Sequence, residues 1–402
     1  MKAKINGKQI GIVTAMCGMA AAGIGMTLNT AGLFYTAAAR ALGCGKGAVS
    51  FTTTIMSMLS ALTGLFTARL IRRYGVRKIC RMAAGLLTAG TFLCAAARNL
   101  IFLYICCIFR GIGSGLAGYV TVTMVLSRWF NEKRGFVTGL ALAFSGLPGV
   151  LFSGYLTHQV ETAGWRTGYV STGVLTVLFC VPSLILPVSL NPQTVGTEPY
   201  GKAQTEKKTE AAVRFSYRSP AFVLCLTASI VLYMLVSFSN HLPSYAVSIK
   251  QSAEAGALML STAMACNILS KVLYGELADH FGWFAAFILS NGLTLAGLFG
   301  LYFSRSAVIL SVSAGLFAFT FSVSGIGISL AIQDLFGLEN YGHVYPTVNL
   351  AGGVCNALAA ALAGTVYDIC GSYQPDLLAG MVFVLFSTVC FGLSRQAARQ
   401  RK

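Results

Sequence analysis

The chain has 402 residues, of which 55% are hydrophobic and only 10% charged, and its 29 Lys and Arg outweigh 12 Asp and Glu for a formal net charge of +17. A soluble protein carries roughly 25% charged residues, so too few polar side chains are present to cover two or three soluble domains, and the apolar surface has to face lipid. Nucleic-acid binding, the rival explanation of a basic chain, needs basic patches on a folded polar surface, and this composition leaves none.

Apolar stretches of about 17 to 25 residues can each cross roughly 30 Å of hydrocarbon as a helix. They are expected at 10–36, 48–69, 79–97, 100–126, 135–157, 168–188, 220–242, 255–277, 283–302, 306–331, 343–367 and 377–394. The first follows Lys2, Lys4 and Lys8 but is too long for a signal peptide and runs on into Arg40, so it is expected to be a retained helix. Many stretches are rich in Gly, Ala, Ser and Thr, which suits close helix packing in lipid. The expected fold class is an all-α membrane protein with about twelve transmembrane helices.

Positive charge alternates between successive connections. One set holds Lys2–Lys8, the run Arg69–Arg81, Arg128–Arg134, Lys202–Arg218 and Arg395–Lys402; the other holds only Arg40, Lys46, Arg98, Arg166, Lys250 and Arg305. That bias predicts a multi-pass inner-membrane protein with both termini in the cytoplasm and basic loops in contact with anionic membrane lipids. The 12 Cys lack CxxC or mixed Cys/His spacing and are expected to be small packing residues, so no metal site and no cofactor is implied.

The longest polar interval, 189–219, has the composition of a flexible cytoplasmic linker and separates an N-terminal six-helix half, 1–188, from a C-terminal one, 220–402. An internal match supports the division. ARLIRRYG at 68–75 and GELADHFG at 275–282 align at an offset of 207 residues, each between the second and third spans of its half, and Trp129-Phe130 pairs with Leu335-Phe336 one residue out of register. Two six-helix repeats suit alternating access around a midplane site.

At these loops the sequence resembles the major facilitator superfamily, whose signature has the form G-x-L-A-D-R-x-G-R-[RK]. The second copy supplies Gly275, Leu277, Ala278, Asp279 and Gly282; the first supplies Gly75, Arg77 and Lys78, but Ala68 replaces the leading Gly and Arg72 the Asp. The resemblance implies a major facilitator fold and a gating role for Gly75, Arg77, Lys78, Gly275, Asp279 and Gly282, with Gly275 allowing close helix approach; for most of the basic run, positive-inside charge is the competing reading. A closer likeness is to the monocarboxylate transporter and oxalate/formate exchanger branch. It is carried by NTAGLFYTAAARALGCGKGAVS at 29–50, RGFVTGLALAFSGLPG at 134–149, 241–282, and FGLENYGHVYPTVNLAGGVCNALAAALAG at 336–364. It implies transport of a small organic anion, a monocarboxylate, coupled to protons or to a counter-transported anion.

Charges inside spans are costly and mark function. Arg110 falls about ten residues into the fourth span, roughly 15 Å along it at 1.5 Å per residue. Its context RGIGSGLAG at 110–118 resembles the superfamily's fourth-span motif, and its guanidinium offers a planar fork to a carboxylate. It either binds substrate, takes part in coupling, or is satisfied by helix carbonyls. Lys271 lies four residues after Asn267 and hence on the same helix face. In the branch resembled, the basic residue at this place contacts the substrate carboxylate, whereas a lysine snorkelling to the helix end is the structural alternative. No acidic residue falls near mid-membrane on these boundaries, which favours an anionic substrate and leans towards exchange. Asn29, Tyr35, Asn349 and Asn356 complete a provisional binding set, each with a competing role as interhelical glue. Thr121, Ser145 and Tyr233 are further polar candidates, and His241 and His343 are expected to face solvent. No nucleotide loop, Ser/His/Asp set or HExxH points to an enzyme. Efflux of an uncharged or amphipathic compound and a non-transporting membrane receptor are the alternative functions.

Overall fold

A computed structural model describes residues 6–132, 134–201 and 216–399, except for the side chains of 134–136, 279, 338–339, 341–343, 346 and 399. Twelve of its helices are long and apolar enough to cross a membrane. They are α1 (Gly7–Leu42), α2 (Lys46–Tyr74), α3 (Val76–Ala95), α4 (Leu100–Trp129), α5 (Val137–Thr162), α6 (Trp165–Ile185), α7 (Pro220–Ser248), α8 (Ala253–Ala278), α9 (Trp283–Phe303), α10 (Ala307–Gly337), α11 (Thr347–Cys370) and α12 (Gln374–Ala398). Each expected span has its helix. The first runs past its expected end because Tyr35–Leu42 forms a further helical stretch, with Arg40 in its last turn and a left-handed cap at Gly43 (φ 63°).

Helix ends leave backbone N–H groups without intrahelical partners, and side chains answer several of them. Asn6 and Gln9 close a reciprocal capping box at α1. Asn99 accepts from Phe102 N–H at 2.8 Å, Ser219 from Phe222 N–H at 3.2 Å and Ser252 from Ala255 N–H at 3.1 Å.

The chain forms two compact units, Met1–Cys44 with Ala48–Glu206, and Gly45–Gly47 with Lys207–Lys402. In the first, α3 packs on α4 and α6, and α1 packs on α6. Its core includes Met16, Met19, Leu87, Val125, Leu126 and Trp129. In the second, α7 packs on α11 and α12, and α10 on α8 and α9. Its core includes Leu232, Tyr274, Phe287, Ile332, Val348 and Phe391.

The interval expected to be flexible is folded over its first part. Trp129 Nε1 donates to Ser189 O at 2.9 Å, Lys8 Nζ to Val195 O at 2.6 Å and Gln9 Nε2 to Glu198 O at 3.2 Å. Tyr200 N–H donates to Trp129 O and accepts at its carbonyl from Asn131 N–H, both at 2.8 Å. The segment thus straps the ends of α1 and α4 through these hydrogen bonds and through Leu190, Val195 and Tyr200, which pack on the core, apolar residues too scattered for composition to reveal it. The rest of the interval, up to residue 215, lies outside the described residues.

The two signature copies share one backbone conformation. Gly75 precedes α3 at φ 82°, ψ 149°, and Gly282 precedes α9 at φ 82°, ψ 154°. This region strains any residue with a Cβ, so the glycine common to both copies is dictated by the turn.

Candidate functional site

Five of the twelve helices lose α geometry within the span: α5 at residues 144–146, and four others at similar places in the two units. In α1 a π stretch covers Ala21–Asn29, and α4 turns at Gly118 (φ −79°, ψ −147°). In α7 a 3-10 turn, Phe238–His241, precedes Pro243, and α10 carries a π stretch at Val323–Gly327. These are the first and fourth helices of each six. Unwound helix frees backbone carbonyls, and membrane proteins tolerate it where it lines a protein interior or cavity. Paired Gly interruptions in the sequence, GIG at 23–25 and at 325–327, were the available signal.

The π stretch of α1 faces Arg110 within the first unit. Met26 O, which also accepts from Thr30 Oγ1 at 3.0 Å, accepts from Arg110 Nη2 at 3.3 Å. The guanidinium is 2% exposed, and its Nε has no hydrogen-bond partner. The Tyr169 ring centroid lies 5.5 Å from Cζ, and the Cys94 and Cys107 thiols stand beside the group. Tyr169 is held in turn by Phe34, stacked at 4.2 Å. Arg110 makes no ion pair with any described carboxylate.

The glycines after Arg110 explain its placement. A Cβ at Gly111 would lie 2.9 Å from Met56 O, and one at Gly115 2.6 Å from Ser60 O, so both hold α4 against α2. Gly113 faces α3, where its Cβ would lie 2.9 Å from Leu87 Cγ. Across the same contact, Gly90 makes room for Arg110, whose Cγ would stand 2.9 Å from an added Cβ. The motif therefore seats the arginine by letting α4 approach two helices at once.

The first unit's neutral candidates are already engaged. Tyr35 OH and Thr53 Oγ1 are 2.5 Å apart, and Asn29 Nδ2 donates to Ser145 O at 2.9 Å where α5 is interrupted.

In the second unit Asn267 is 2% exposed, its Oδ1 has no donor, and its Nδ2 meets only Met264 Sδ at 4.0 Å. Lys271, one turn on, is half-buried and makes no hydrogen bond or ion pair with a described residue. Asn349 and Asn356 belong to a different arrangement. Tyr233 OH donates to Asn349 Oδ1 at 2.8 Å, Asn356 Nδ2 donates to Tyr233 O at 2.6 Å, and the ring lies over Gly352 between them. They clasp α7 to α11.

Of the gating residues, Gly75 and Gly282 form the turns described above, while Arg77 and Lys78 are exposed and make no hydrogen bond or ion pair with a described residue. Gly275 does not serve a close approach in this conformation, since a Cβ there meets nothing within 4 Å among the described residues. The side chains of Asp279 and His343 are outside what the structure describes. His241 is fully buried rather than solvent-facing: the 3-10 turn tucks it inward, 2.8 Å from Ala360 O and 3.3 Å from Tyr373 OH. Asp376 has one oxygen, Oδ2, shut from solvent without a donor, beside a recess of about 190 Å³ formed with Met234, Phe238 and Ala363. Sequence reasoning missed Tyr169, the Met26 carbonyl, Gly90 and Gly352, whose roles depend on which helix lies opposite.

Comparison with known proteins agrees with this architecture. A bacterial homologue of the human lysosomal transporter Spinster, solved in an inward-facing and occupied conformation, superposes with a TM-score of 0.71 at 13% identity over 98% of both chains. A D-xylose-proton symporter gives 0.69 at 16% identity over 94% of this chain and 96% of its own. In sequence, the uncharacterized MFS-type transporter YhjX of Escherichia coli is 26% identical over 82% of this chain and 81% of its own. Monocarboxylate transporter 13 of Rattus norvegicus is 25% identical over 89% and 82%. The sequence profile of the Major Facilitator Superfamily matches residues 15–364, and the chain belongs to that superfamily of membrane transporters.

Proposed function

We propose that the protein is a secondary carrier that moves a small organic anion, a monocarboxylate, by alternating access in the inner membrane, with both termini in the cytoplasm. The observation that carries this reading is Arg110: a buried guanidinium with an orphaned Nε, one long bond to a carbonyl and no carboxylate partner among the described residues. An uncompensated buried charge costs several kcal/mol, and a substrate carboxylate would relieve it through two charge-assisted bonds. In the second unit, Asn267 and Lys271, also without strong partners among the described residues, are further candidates for polar contact with substrate. Relatives named monocarboxylate transporters support the same substrate class.

The coupling partner is a proton or a counter-transported anion. Asp376, with its unpartnered oxygen, is the candidate proton carrier, and exchange is the alternative.

The test is counterflow of labelled lactate, pyruvate, formate or oxalate into proteoliposomes preloaded with the unlabelled acid, with the proton gradient collapsed. Saturable counterflow of a monocarboxylate, lost in Arg110→Ala that still elutes as a single folded species, is the expected result. Counterflow unchanged in Arg110→Ala would remove the arginine from substrate binding, and none in the wild-type protein would turn attention to amphipathic efflux. A proton gradient that drives accumulation in the wild type but not in Asp376→Asn, with counterflow retained in both, would assign the proton to Asp376.

A further inference from the structure

The two copies of the signature turn carry opposite chemistry on one backbone. Around Gly282 stand Glu276 and His280, whose carboxylate and ring approach to 3.9 Å. Around Gly75, with the same φ and ψ, stand Arg69, Arg72, Arg73, Arg77, Lys78 and Arg81. All six are exposed, and none makes a hydrogen bond or ion pair with a described residue; the Arg73 guanidinium lies 5.4 Å from the Tyr74 ring centroid. The left-handed glycine folds the end of α2 onto the start of α3, bringing cations from two helices to one corner. Exposed Phe66, Tyr74 and Met82 flank that corner, so the charges stand where apolar, lipid-contacting helix surface gives out. A cluster of this charge, without internal anions and beside the acyl-chain surface, lacks its counter-charge within the described protein.

We infer that the Gly75 turn is a binding site for the headgroup phosphate of an anionic phospholipid, which supplies the negative charge that Arg72 displaced from this copy of the motif. A phosphate offers several acceptor oxygens to guanidinium forks, and the lipid's acyl chains continue along Phe66 and Met82. The Gly282 turn, with its acidic residue, takes no such lipid. The inference does not depend on which substrate is carried.

The experiment measures lipid retained by the purified full chain, by native mass spectrometry in mixed micelles of phosphatidylglycerol and phosphatidylcholine. Arg72→Ser/Arg77→Ser is compared with Arg40→Ser/Arg98→Ser, which removes the same charge from exposed positions elsewhere. Removal of each cation at the turn is expected to weaken phosphatidylglycerol binding by roughly fivefold, about 25-fold for the pair, with the control pair within about twofold. Phosphatidylcholine and millimolar free phosphate should not displace the bound lipid. Equal losses in the two pairs, no loss in either, or displacement by free phosphate would overturn the site. Should the turn variant not fold, wild-type retention of phosphatidylglycerol must fall steeply on raising salt to about 0.5 M, where exposed charges are screened; insensitivity to salt would overturn it equally.

Discussion

Replacing Gly352 by Ala tests the clasp between α7 and α11. The added Cβ would stand 2.6 Å from Tyr233 Cε2 and 2.7 Å from its Cγ, far inside contact distance, so the ring or the helix has to move. Overpacking of this kind costs about 1–3 kcal/mol. Displacing the ring also endangers the 2.8 Å bond from its hydroxyl to Asn349, worth about 0.6 to 1.7 kcal/mol between membrane helices, while the bond from Asn356 goes to the Tyr233 backbone carbonyl and does not depend on the ring. The total is on the order of 2–5 kcal/mol, or roughly 5–15 °C in melting temperature for a unit of about 200 residues. Thermal unfolding in detergent reads it directly. Tyr233→Ala removes the ring that Gly352 accommodates, so adding Gly352→Ala to that background should cost less than about 0.5 kcal/mol. A Gly352→Ala protein melting within about 2 °C of wild type, or one losing as much stability without Tyr233 as with it, would refute the clasp.

Arg110→Lys keeps the charge but loses the fork; forfeiting one charge-assisted bond of about 1.5–3 kcal/mol should raise the half-saturating substrate concentration about 10- to 100-fold, as measured by counterflow. Gly75→Ala and Gly282→Ala should each cost about 1–3 kcal/mol and by similar amounts, since their φ angles are both 82° and an added Cβ meets no described atom at either; unequal melting shifts would show that the turns differ. Trp129→Phe deletes the bond to Ser189 O, and limited proteolysis should then cleave within 189–201 faster than in wild type.

Much of the fold was legible because lipid imposes a coarse code. Each span is an apolar run that its length alone identifies, and Gly75 and Gly282 were readable as a repeated signature because a positive φ admits little else. Arg110 was legible for a similar reason, since a charge within an apolar run is conspicuous. What lay opposite it was not. Periodicity reports the face of one helix and is silent on its neighbour, so Tyr169, the Met26 carbonyl and the Gly352 seat had no signature. The π stretches of Ala21–Asn29 and Val323–Gly327 escaped too: each carries a Gly-Ile-Gly, but a third copy at 111–113 lies in regular helix, so the signal does not discriminate. His241 was misplaced on the reasoning that a polar residue near a helix end faces water, which fails where a 3-10 turn redirects the side chain to a carbonyl acceptor.

The bonding state of the polar groups narrows the provisional binding set. Asn29, Tyr35, Asn349 and Asn356 each already bond to another helix, and contacting substrate through the same atoms would break a bond worth about 0.6 kcal/mol or more in a membrane. Arg110 Nε, Asn267 Oδ1 and Lys271 have no such bond to a described residue. A ligand that meets them gains the interaction and also removes an existing desolvation penalty. Two of the three groups are cationic. An uncharged amphipathic compound would leave these charges as costly as in the empty carrier, whereas a carboxylate can satisfy the Arg110 guanidinium with two oxygens. The balance therefore favours a small anion over an apolar cargo in the proposed reading, with the asparagines of α11 holding helices together.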